Sequence, residues 1–127
     1  MWYSHLDRTE FLQMLYTEIP SLEDVEVRIG KIVIGDEGNQ VTLIFDMPRY
    51  VDFPPHKWKG HNTAVVEADF FGISKLEIST TSNTYRGTIA INENAEGLLE
   101  ISIRGNLTAN IVAHSGFIQR ITACLSE

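Results

Sequence analysis

The sequence holds one cysteine, Cys124, in 127 residues. A lone thiol excludes an internal disulfide and any zinc site built on several thiolates. Its setting, Ile121-Thr122-Ala123-Cys124-Leu125, reads as buried strand, where the thiol acts as a small packed hydrophobe. Positive charge is also scarce. Ten Lys and Arg stand against seventeen Asp and Glu, a formal net charge of -7, which argues against a nucleic-acid partner because phosphate binding needs a net basic face. Long apolar runs are missing too. No window approaches the length of a membrane-spanning helix, and the opening Met1-Trp2-Tyr3-Ser4-His5-Leu6-Asp7-Arg8 has no basic stretch leading into an apolar one. The expectation is a cytoplasmic chain without a membrane partner. Gly-rich phosphate loops, nucleophile elbows and cysteine-histidine pairings are absent as well. With no seat for a reaction, we expect a protein that is not an enzyme and needs no cofactor.

What is present describes an ordinary folded protein: 43% apolar residues and 21% charged. The length predicts a single domain over residues 1–127, large enough to bury roughly two-thirds of its extended-chain surface around one core. From Ser4 to Ile19, the residues Leu6, Phe11, Leu12, Leu15, Tyr16 and Ile19 fall mainly at three- and four-residue spacings, which predicts a helix with one apolar face. Ser4 and Asp7 have the spacing of a capping box with the shorter acid, and Pro20 closes the segment. So short a helix needs tertiary packing, so its Leu-Phe stripe should lie against a sheet.

After Pro20 the period becomes two. Val25, Val27 and Ile29 alternate with charged residues, and Ile32 and Ile34 resume on the opposite parity, placing a bulge at Gly30-Lys31. Turn clusters at 36–39, 80–83, 92–97, 105–106 and 114–116 separate further alternating runs. The result is mainly β in the α+β sense: an antiparallel meander of about eight strands, as a curled sheet or a sandwich, with the N-terminal helix packed on it. The tetrapeptide Leu-Glu-Ile-Ser occurs at Leu76 and again at Leu99, a coincidence of shared strand pattern and not a repeat.

The stretch from Asp46 to Asn62 has neither period. It gathers three of the four prolines, two of the four histidines and one of the two tryptophans. Pro48 and Pro54-Pro55 forbid a ladder and stiffen the backbone, while Tyr50, Phe53 and Trp58 give it aromatic contact area of the kind that dominates interfaces and cores alike. Arg49, Lys57 and Lys59 make it locally basic. Outward acids on the strands, Glu67, Asp69, Glu77 and Glu100, could form one acidic face; the simpler account of them is solubility. Tyr50, Phe53, Trp58, Glu67, Asp69, Glu77 and Glu100 are therefore the candidate partner-contacting residues. His56 and His61 flank Trp58 and suggest metal binding only if a third ligand arrives from elsewhere. The charge balance suits a basic partner, steered in by long-range attraction.

Several pieces in order resemble the immunity protein 50 family of bacterial polymorphic-toxin immunity proteins: Met1-Trp2-Tyr3-Ser4 with Phe11-Leu12, Glu18-Ile19-Pro20-Ser21-Leu22, and Val41-Thr42-Leu43-Ile44-Phe45-Asp46-Met47-Pro48. Pro54-Pro55-His56-Lys57-Trp58 with Asn62, and Phe70-Phe71-Gly72-Ile73, continue the match. The resemblance implies a non-catalytic protein that binds and neutralises a cognate toxin domain, and it assigns no contact positions. A basic toxin, for example a nuclease, would suit an acidic inhibitor. Two other readings stand beside it: a small-ligand or metal-binding β domain using His56, His61 and the loop, and a general protein-interaction module.

Overall fold

A computed structural model of the protein describes residues 1–126. Eight strands carry the fold: β1 Val27–Gly35, β2 Gln40–Asp46, β3 Thr63–Phe71, β4 Lys75–Thr80, β5 Arg86–Glu93, β6 Leu99–Gly105, β7 Leu107–Ala113 and β8 Ser115–Cys124. In most strands the alternation read from the sequence is the alternation of burial, while Ile34 at the end of β1 and Ile78 on β4 stay exposed. In β2, Val41, Leu43 and Phe45 are buried while Gln40, Thr42, Ile44 and Asp46 are half-covered, as a strand with one core-facing side requires. The bulge at Gly30 is present as a register shift between Ile29 and Lys31 against β2.

All seven ladders between these strands are antiparallel, in one curled and unclosed sheet of order β4-β7-β6-β5-β1-β2-β3-β8. Two three-strand meanders, β1-β2-β3 and β5-β6-β7, lie side by side, and β4 and β8 depart from chain order. The reason is a shared corner. β3 runs into β4 through Gly72-Ile73-Ser74, β7 runs into β8 through His114, and the β3·β8 ladder is taken up across the corner by β4·β7. Two long bent strands thus turn together from one half of the sheet to the other. Gly72 permits the bend: its φ is +68°, and a Cβ there would sit 2.6 Å from the His114 Cβ. A second close approach fixes the end of β6, where a Cβ on Gly105 would collide with the Arg86 carbonyl oxygen.

The halves meet where β1 pairs with β5 at Val27–Gly87 and Arg28–Arg86. Inside the curl lies a single core, with Leu43, Phe45, Val66, Phe70, Ile89, Ile101 and Ile111 fully enclosed.

The helix differs from expectation. α1 covers only Glu10–Leu15, with Thr9 at its N-cap and no side-chain cap bond. Ser4 and Asp7 do not box a helix start, because the Asp7 backbone is committed to β8: its N–H donates to the Gly116 carbonyl at 3.0 Å, and its carbonyl accepts from the Ile118 N–H at 3.1 Å. Arg8 then takes a left-handed φ of 61°, which separates that bridge from α1. The apolar residues are used only in part as foreseen, and from different backbone. Leu6 and Trp2 are buried without being helical, and the Trp2 indole N–H donates to the Pro20 carbonyl at 3.0 Å while its ring meets Phe45 edge-on. Leu12 and Leu15 are buried from α1, whereas Phe11 stays exposed. Tertiary demand outweighs a helical period of about four turns.

Candidate partner-binding surface

The proline-rich segment after β2 is a built structure clamped to the end of α1. The Leu15 carbonyl, one of the helix's orphan acceptors, receives the N–H groups of Asp52 at 2.9 Å and Phe53 at 3.1 Å. Tyr16 donates its hydroxyl to the Arg49 carbonyl at 2.7 Å, and burial pushes its pKa far above the ordinary phenol value. The Arg49 guanidinium lies 5.0 Å from the Tyr16 ring centre, donates to the Glu18 carbonyl at 2.8 Å and pairs with Asp52 at 2.9 Å. Asp52 also accepts the Thr17 N–H at 2.8 Å. That backbone bond, followed by Arg49, holds the Asp52 carboxyl below the usual value of 3.8.

Because the folded pKa is depressed, this contribution to stability is complete above about pH 4 and declines as pH falls through and below 3.8. We expect the loop to loosen below that range while the sheet persists, seen as pepsin cleavage in 46–62 before the global acid transition. Arg49→Ala should lower stability by roughly 1–3 kcal/mol through the lost carbonyl bond and ring contact, since the half-exposed ion pair itself contributes little; a urea titration measures it.

The seven candidate residues have different fates. Phe53 is 59% exposed and projects from the clamped loop. Tyr50 is half-buried, its hydroxyl 3.4 Å from the Trp58 carbonyl. Trp58 is only 5% exposed; it fills the space beneath the loop, meeting Phe11 edge-on at 6.0 Å. Asp69 is 6% exposed and accepts the Thr42 hydroxyl at 2.5 Å. These two shape the surface from within and offer a partner little area. Glu67, half-buried, pairs with Arg120 at 3.5 Å; Glu77 is exposed and pairs with Lys75 at 3.0 Å; Glu100, also exposed, accepts from Asn94 at 3.3 Å.

The acids do not form one row. Glu67 and Asp69 are on β3 beside β2 and β8, Glu77 and Glu100 are on β4 and β6, and the Gly72 corner turns the chain between the two sets. The reason is that β4, next to β3 in sequence, pairs with β7 in space.

The histidines do not converge either. His56 is exposed in the one-turn 3-10 helix His56–Trp58, His61 follows it, and among the described residues no group of three or more His, Cys, Asp or Glu is placed to hold a metal ion. Arg28 and Arg86 stand directly opposite each other where the two halves meet, and Asp46 lies 3.6 Å from Arg28. Burial raises the Asp46 pKa against the pull of Arg28.

Sequence reasoning passed over the exposed apolar residues Val33, Ile34 and Ile78. Ile78 sits on the apolar side of an alternating run, which gives no sign of its exposure, whereas Val33 breaks the alternation between Ile32 and Ile34.

The structure thus has a loop clamped to α1 beside a curled sheet, with Glu67, Glu77 and Glu100 at separate places on it. The sequence model of immunity protein 50 matches residues 8–123, nearly the whole chain. The protein belongs to the immunity protein 50 family. The match extends past the Phe70–Ile73 motif through β8, so the C-terminal strands of this immunity-family chain are part of the family unit and not an appendage. No curated protein matches it, and no solved structure does.

Proposed function

We propose that the protein is a cytoplasmic immunity protein that binds a cognate bacterial polymorphic toxin and neutralises it by non-covalent occlusion, without catalysis. The observation that carries this reading is family membership over residues 8–123. The loop supports it: Arg49, Asp52, Tyr16 and the Leu15 carbonyl fix its course, so little conformational entropy remains to be lost on docking. Tyr50 and Phe53 are the aromatic contacts, Glu67, Glu77 and Glu100 the charged ones, and Trp58 and Asp69 hold the surface in shape. With seventeen acids against ten bases, the toxin domain best suited is a basic one, and a nuclease fits because carboxylates can occupy sites meant for phosphate.

Co-expression tests the reading. The toxin domain encoded beside this chain should arrest growth alone and be tolerated when the chain is present, with a one-to-one complex recovered from the cells. Continued arrest at equal expression would remove the proposal. Association of the purified pair should slow several-fold or more between low and physiological salt if opposite charge steers it; a salt-independent rate would remove the basic-toxin part alone.

A further inference from the structure

The outer side of β1, β2, β3 and β8 carries a depression of about 320 Å3, away from the proline-rich loop. Ile44 and Val65 form its floor. Both alternate with core-facing neighbours, Leu43 and Phe45 in β2 and Ala64 and Val66 in β3, so both point away from the core, and both are half-covered. The space is opened by Gly30 at the β1 bulge: a Cβ there would lie 3.4 Å from the Arg28 Nη1 and 3.8 Å from the Ile44 Cγ2, so a longer side chain would grow into the depression. Glycine within a strand often marks a close approach by another molecule, and bulges concentrate beside sites of contact.

The rim is basic. Register sets Lys31, Ile44, Glu67 and Arg120 in one cross-strand row, and Arg28 lines the same depression, with Arg86 directly opposite it on β5. These four bases stand against Glu67 and Asp46, and both acids are engaged, Glu67 by Arg120 at 3.5 Å and Asp46 by Arg28 at 3.6 Å. Among the described residues no carboxylate pairs with Lys31 or Arg86. The chain as a whole has the opposite balance, seventeen acids to ten bases. An apolar floor inside a rim of surplus positive charge is complementary to a carboxylate carried on methylene groups, whereas a lysine or arginine entering here would meet like charge.

We propose that this depression seats an acidic side chain of the toxin domain, a glutamate or aspartate whose methylene groups lie on Ile44 and Val65 and whose carboxylate is taken by Lys31, beside Arg28 and Arg120. The inference rests on the toxin-binding reading above and adds one anchoring contact to it. Its sign is independent of the toxin's overall charge: the field of a chain at -7 governs approach, while a local pair fixes the register of the docked surfaces. A side chain held in a depression at the centre of four strands is the kind of contact that dominates an interface.

Titration calorimetry of the full-length chain with the toxin domain encoded beside it tests the seat. Lys31→Glu should weaken binding roughly ten- to hundredfold. Gly30→Leu fills the depression and leaves every charge in place; it should weaken binding by about tenfold or more. Lys75→Glu makes the same charge change on β4 and should move affinity less than about threefold. Changing the toxin's Asp and Glu residues to Lys one at a time should reveal one position that costs the wild type a similar factor and is rescued by Lys31→Glu. Unchanged circular dichroism confirms that each variant folds. A wild type that does not bind the toxin domain overturns the toxin-binding reading and this inference together. Where the wild type binds, Lys31→Glu no weaker than Lys75→Glu, an indifferent Gly30→Leu, or a scan with no rescued position overturns this inference alone. Duplex DNA bound by the wild type and released by Lys31→Glu, with toxin affinity unmoved, would assign the seat to phosphate and reject the carboxylate.

Discussion

Trp58→Ala should cost about 3–5 kcal/mol of stability, as for other large aromatics truncated in a core. The indole is 5% exposed beneath the proline-rich loop and supports Phe11 edge-on. Removing it empties the space between the loop and α1, whose contact holds the Leu15 carbonyl's two hydrogen bonds. For a domain of ordinary stability this is a large fraction of the total, and chemical denaturation measures it. Phe53→Ala, three residues beyond Tyr50 but exposed, should stay within about 0.5 kcal/mol and, on the proposed function, weaken toxin binding. The pair of variants therefore separates the aromatic that builds the surface from the one that presents it. Equal stability losses would mean the loop is not organised around Trp58.

The second large effect is at the corner. Gly72→Ala should destabilise by about 2–4 kcal/mol, combining a left-handed φ that costs an alanine 1–2 kcal/mol with displacement of the backbone at His114. The added methyl meets the His114 Cβ at 2.6 Å, so rotating the imidazole relieves nothing. His114→Gly introduced with Gly72→Ala should recover the steric share and leave the conformational share, and a double-mutant cycle separates them. The two bent strands turn together at this point, so loss of the corner should loosen β4 and the β7–β8 junction first. Hydrogen exchange should show amides of 73–80 and 112–117 opening ahead of β2 and β5. A coupling energy near zero would mean that the two backbones do not constrain one another.

Most of the strand content was legible because each strand has one buried side, which leaves a period of two in any antiparallel sheet with a wet face. The Ile29–Lys31 shift was legible for the same reason, since a bulge reverses parity. The helix was misjudged from the same kind of signal. Leu6 supplied apolar spacing that looked helical, but Asp7 beside it is held by β8, and a contact 110 residues away along the chain cannot be seen in a local period. The loop was recognisable as stiff and aromatic; its attachment through Arg49, Asp52 and Tyr16 required knowing that α1 ends beside it. The acids were correctly placed on outward strand positions, where Asp69 is nevertheless covered and accepts the Thr42 hydroxyl, but the β3–β4 corner divides them into two sets.

Leu76-Glu77-Ile78-Ser79 and Leu99-Glu100-Ile101-Ser102 mark the division. By itself the sequence determined that both are strands and that Leu and Ile face the core side in each, because side-chain direction alternates with the backbone and needs no partner. Only the tertiary structure decided that Ile101, flanked by β5 and β7, is fully buried, while Ile78, with β7 on one side and solvent on the other, is 39% exposed. Burial is set by how many strands lie alongside, and that number comes from long-range pairing at the β3–β4 corner, which no four-residue stretch encodes.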